Sequence, residues 1–102
     1  MNYSISELRL HQFIKNYLDK FFNQKIFFNT DSFLTYSEEE ANEQWSDIME
    51  YDFEDGRLWI NKEYIEYFSD LFGQDTEFVK EFLADWFTNK HNVEIKFIES
   101  PI

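Results

Sequence analysis

Residues 31–55 contain ten carboxylates and no lysine or arginine: Asp31, Glu38, Glu39, Glu40, Glu43, Asp47, Glu50, Asp52, Glu54 and Asp55. Such a run could do three kinds of chemistry. A pair of acids could share general acid and base work at a glycosidic bond. A cluster could hold a hard cation. An array could present a negative field to a cationic protein surface.

The first two possibilities fare poorly on spacing. No two carboxylates are set apart from the rest as a catalytic pair, and a chain of 102 residues with two glycines can form only a shallow cleft. The segment Asp52-Phe53-Glu54-Asp55-Gly56 resembles a calcium loop only until its register is tested. With Gly56 at the sixth loop position, the first, third and twelfth positions fall on Tyr51, Phe53 and Lys62, which are not its ligands. His11 and His91 have no second ligand at helical spacing, and the chain has no cysteine. No metal, no cofactor and no enzymatic activity are therefore expected. His91 is expected near a helix C-terminus, where a positive imidazole suits the helix dipole.

The third possibility fits the charge distribution. The formal net charge is -12. Residues 1–25 carry Arg9, Lys15, Lys20 and Lys25 against Glu7 and Asp19, a local charge of +2, so residues 26–102 carry -14. A polyanion of this kind repels nucleic acid and anionic membranes and attracts basic proteins. Glu39, Glu43, Asp47 and Glu50 are spaced by four, four and three. On a helix they would form one ridge, at a cost of roughly 0.2–0.5 kcal/mol for each unrelieved pair of like charges. Tyr51 and Tyr67 are candidate apolar anchors, since tyrosine is common at protein interfaces. Trp45 and Trp59 are expected in the core.

The elements that must position these residues can be read from periodicity and capping. Leu10, Ile14, Tyr17 and Phe21 form one stripe of an opening helix, with Ser4 or Ser6 as its cap and Asn23 as its stop. Lys25 to Asn29 is a short apolar run and is expected as a buried strand. A second short strand follows at Phe33 to Tyr36. Ser37 and Glu40 match a capping box, which with Ala41, Trp45 and Ile48 predicts a helix ending near Met49. Tyr51 and Phe53 alternate with acids, Asp55-Gly56 marks a hairpin turn, and Arg57 to Ile60 returns as a strand. Asn61 and Asp75 cap two further helices, the first ended by Gly73. Val93, Ile95 and Phe97 alternate with charged residues as a final strand.

These elements predict a single α+β domain over residues 1–102, with about four helices packed on one face of a small antiparallel or mixed sheet. The N-terminus lacks the pattern of a signal peptide, and no run of about 20 apolar residues is present, so a soluble cytoplasmic protein is expected. The functional expectation is a small inhibitor or decoy. Its acidic face would occupy the basic, nucleic-acid-binding surface of a target protein such as a nuclease. Phage anti-defence proteins that mimic DNA and immunity proteins for nuclease toxins work on this principle. Glu39, Glu43, Asp47, Glu50, Tyr51, Asp52, Glu54, Asp55 and Tyr67 are the residues expected to meet the partner. The alternative is a non-catalytic structural domain that forms a homodimer through aromatic surface, given that 22% of the chain is Phe, Trp or Tyr.

Overall fold

Among the described residues, three amphipathic helices cover one face of a five-stranded mixed sheet and leave the other face open. The computed structural model describes residues 5–40 and 44–100. The elements, in chain order, are α1 (Ile5–Asn23), β1 (Ile26–Asn29), β2 (Phe33–Glu39), β3 (Trp45–Asp52), β4 (Arg57–Ile60), α2 (Lys62–Phe72), α3 (Thr76–His91) and β5 (Phe97–Glu99). The sheet follows chain order, β1-β2-β3-β4-β5. Its first four strands form an antiparallel meander, and β5 joins β4 in parallel.

Local chemistry sets most boundaries. Asn61 is the N-cap of α2, its side chain accepting from the Glu63 amide, and Gly73 ends that helix in the left-handed region at φ 64°, which glycine adopts without steric cost. Asp75 caps α3 by accepting from the Phe78 amide at 2.8 Å. Gly56 closes the β3–β4 turn at φ 72°. A Cβ there would lie 2.8 Å from the Lys96 side chain. Its carbonyl accepts from the Lys96 amide at 2.8 Å, tying the turn to the segment that leads into β5.

The core lies between helices and sheet. Ile14, Leu18 and Phe22 of α1, Ile65 and Phe68 of α2, and Val79, Leu83, Trp86 and Phe87 of α3 point inward. They meet two cross-strand rows, Leu34–Tyr51–Leu58–Ile98 and Tyr36–Met49–Ile60. Ring contacts fix which face this is: Tyr36 lies against Phe22, Trp86 and Phe87, and Tyr51 lies against Phe87. The two tyrosine hydroxyls in these rows are satisfied. Tyr51 donates to the Glu94 carbonyl at 2.7 Å, and the Tyr36 hydroxyl is 2.8 Å from His91 Nε2.

Four expectations require correction. The helix expected from Ser37 to Met49 is absent, because Ser37, Glu38 and Glu39 complete β2 and Trp45 to Asp52 form β3. Three helices are therefore present among the described residues, not four. The run Lys25 to Asn29 is an edge strand rather than a buried one, with Phe27 and Phe28 exposed. Val93 and Ile95 pack against the core without joining the sheet, so β5 starts only at Phe97. His91 does end α3, but it is held toward the neutral form, since burial, and then Lys90, lowers its pKa.

Candidate functional site

The open face of the sheet carries an alternation of aromatic and acidic side chains. It is built from the residues that alternate with the core rows along the same strands. Registers align them in four rows. Phe33, Asp52, Arg57 and Phe97 form the first, and Phe28, Thr35, Glu50, Trp59 and Glu99 the second. Ile26, Ser37 and Asp47 form the third, and Glu39 with Trp45 the fourth. Cross-strand neighbours of this kind lie about 5 Å apart at Cβ, so the rows make a continuous surface. Trp45 packs edge-on against Phe28 with ring centroids 6.2 Å apart.

A β-bulge determines which acids reach this face. Asp47 and Glu50 are three residues apart, and in a regular strand they would point to opposite faces. Tyr36 pairs with Met49 but Ser37 pairs with Asp47, which leaves Ile48 as the extra residue. Ile48 and Met49 are both fully buried. The inserted residue restores Asp47 to the same side as Glu50, a re-aiming that bulges accomplish.

The electrostatics of the face are one-sided. Among the described residues Arg57 is its one cation, and it is occupied by Asp52 at 3.7 Å and Glu99 at 3.3 Å. Glu39, Asp47 and Glu50 have no ion pair among the described residues. Asp47 accepts from the Ser37 hydroxyl at 2.6 Å. Glu50 titrates above the ordinary carboxylate range: partial burial is the main cause and Asp47 adds to it, while Arg57 opposes it.

Four of the residues singled out from the sequence, Glu39, Asp47, Glu50 and Asp52, thus share one surface, although it is a sheet face and not a helical ridge. Glu54 and Asp55 lie on the exposed β3–β4 turn. Since β3 has eight residues, that turn is roughly 25 Å from the Trp45 end of the face. Tyr51 is turned the other way and is only 5% exposed. It sits one residue out of phase with Glu50 and Asp52, and it belongs to the core. Tyr67 is exposed on α2, on the helical side of the sheet and not on its open face. Glu43 lies outside the described residues.

Sequence reasoning missed Phe28, Trp45, Trp59, Phe97 and Glu99. Trp45, expected in the core, is 53% exposed, and Trp59 is half-buried on the open face. The alternation of Arg57 and Trp59 with the buried Leu58 and Ile60 was the available signal for the second tryptophan.

Other features lie on the helical side. A recess of about 850 Å³ runs between α1 and α3 past Lys15, Asp19, Phe82 and Trp86, where the Trp86 indole donates to Asp19 at 2.8 Å. Among the described residues, no group of three or more His, Asp or Glu side chains is arranged to hold a metal ion, and no helix is long and apolar enough to cross a membrane. The chain matches no protein-family model, and no curated protein or solved structure matches it significantly.

Proposed function

We propose that this chain is a small protein-binding inhibitor or decoy whose open sheet face docks on a basic surface of its target. One observation carries the proposal: among the described residues, aromatic side chains and carboxylates, three of them without an ion pair, alternate on the sheet face that no helix covers. The aromatic rings supply apolar area to a docking surface. The carboxylates select a cationic partner and speed the encounter. A surface of this type repels phosphate, so the fitting partner is a protein that itself binds phosphate, such as a nuclease or another nucleic-acid-binding protein. Occupying that surface would block its nucleic acid.

The test is capture from lysate by the immobilised chain, with identification of the captured protein and measurement of its affinity. The expected partner is basic, is displaced by DNA, and loses affinity with rising salt. The double substitution Glu39→Lys and Asp47→Lys is expected to weaken it by about tenfold or more and to flatten the salt dependence. Affinity that is indifferent to both the reversal and salt would overturn the proposal.

The exposed Phe28, on edge strand β1 and in contact with Trp45, favours a second reading, self-association through aromatic surface. Sedimentation that gives a concentration-dependent dimer, abolished by Phe28→Ser, would support it in place of the first.

A further inference from the structure

A cleft of about 430 Å³ opens between α1, α2 and β2, lined by Phe21, Lys25, Glu38, Glu63, Tyr64 and Tyr67. It adjoins the acidic end of the sheet, because Glu38 in its lining stands next to Glu39 on β2. Three rings wall it. Phe21 lies 6.3 Å from Tyr64 and 6.4 Å from Tyr67 between centroids. One cation already rests inside: Lys25 Nζ sits 4.5 Å over the Phe21 ring and donates to Glu38 at 2.8 Å. Tyr64 donates to the other Glu38 oxygen, so each Glu38 oxygen already has a donor. Glu63, at the rim, has no ion pair among the described residues, and Tyr67 beside it is 47% exposed. Its hydroxyl is 3.0 Å from that of Tyr17, which fixes the ring.

We infer that this cleft receives an arginine side chain of the basic partner, its guanidinium stacked on the Tyr67 ring and paired with Glu63. The inference rests on the proposed docking function and names a second contact for it. With Lys25 and Glu38 cancelling, Glu63 leaves the lining negative, and Glu40 lies close enough to act on Tyr64 electrostatically. A guanidinium suits the site better than an ammonium. It is flat, weakly hydrated, stacks on aromatic faces and offers a fork of donors to a carboxylate. Tyr67, remote from the open sheet face, thereby acquires a role that the sheet face does not give it.

The test is a nuclear magnetic resonance titration of the intact chain with Nα-acetyl-arginine amide, with the uncharged isostere Nα-acetyl-citrulline amide as control. Arginine amide is expected to shift the Tyr64 and Tyr67 ring signals saturably, and citrulline amide is not. Glu63→Gln and Tyr67→Leu, both at exposed positions, should each weaken binding by about threefold to fivefold. Glu54→Gln, at the far end of the sheet, should leave it unchanged. Equal shifts from citrulline amide, or equal losses from Glu54→Gln and Glu63→Gln, would overturn the inference. Shifts confined to the Trp45 and Trp59 signals would overturn it while leaving the sheet-face proposal standing. Saturable shifts in the cleft from a chain that captures no basic partner would do the reverse.

Discussion

The two faces of the sheet are made from the same strands, yet they meet opposite conditions. On the covered face the two central rows are apolar apart from the hydroxyls of Tyr36 and Tyr51, which find partners in His91 and the Glu94 carbonyl. That is what an interior demands, since an unmet polar group there costs its full desolvation. On the open face Phe28, Trp45 and Phe97 are exposed, and Glu39, Asp47 and Glu50 have no ion pair among the described residues. The proposed docking function would account for that composition. In the proposed reading, packing falls to one set of alternate residues and recognition to the other.

The sharpest way to break this contrast is to truncate one aromatic on each side. Phe87 is fully buried among Tyr36, Tyr51 and His91. Phe87→Ala is expected to cost about 3–5 kcal/mol in urea denaturation, the usual range for emptying a core site of this size. Trp45→Ala removes a larger side chain but is expected to change stability by roughly 0.5 kcal/mol or less. Equal losses would mean that the open face is packed like the core.

The covered face was far more legible in the sequence than the open one. The α1 stripe, the Asn61 and Asp75 caps, the Gly73 stop and the Asp55-Gly56 turn each follow from local rules, and the helices and hairpin they announce are present. The failure falls on residues 37–49. Ser37 and Glu40 carry the spacing of a capping box, and Trp45 and Ile48 are three apart, as on a helix. The competing signal, alternation along β3, is broken by its own bulge. With Ile48 and Met49 both inward, Trp45 to Asp52 reads as alternating only if one residue is removed. The same insertion that brings Asp47 beside Glu50 concealed the strand that carries them. Local pattern could therefore count the carboxylates but not place them on a common surface.

A smaller effect probes how the covered face keeps its polar groups. His91 stacks on Phe27 with centroids 5.0 Å apart and shares a hydrogen bond with Tyr36. Burial is the main cause of its lowered pKa. A histidine whose folded value is depressed contributes stability that is complete above its unfolded value, about 6.5. That stability is lost as the pH falls through the folded value. The His91 ring protons are thus expected to titrate with a midpoint below the ordinary histidine range. His91→Gln should flatten the stability profile between neutral pH and the onset of carboxylate titration. Tyr36→Phe should cost about 1 kcal/mol at neutral pH, the net worth of one such hydrogen bond. A midpoint at or above the ordinary value would show that the imidazole is not enclosed by the helices.

The smallest change in stability carries the most information about the open face. Glu50 has its pKa raised, chiefly by burial and further by Asp47. A group shifted in this direction favours the folded state while protonated, below its unfolded pKa. That contribution disappears as the pH rises through the folded value. At neutral pH the charged carboxylate is therefore a liability that the isolated chain carries. Glu50→Gln is expected to raise stability at pH 7 by a few tenths of a kcal/mol, roughly 0.5, with the gain vanishing in acid where both side chains are neutral. The same substitution is expected to weaken binding to the proposed basic partner, because it removes a carboxylate from the second row of the face. Opposite signs for stability and affinity are what a residue kept for recognition should show. A variant that gains stability and binds as before would reduce Glu50 to solvated surface, and the contrast between the two faces would then rest on the aromatics alone.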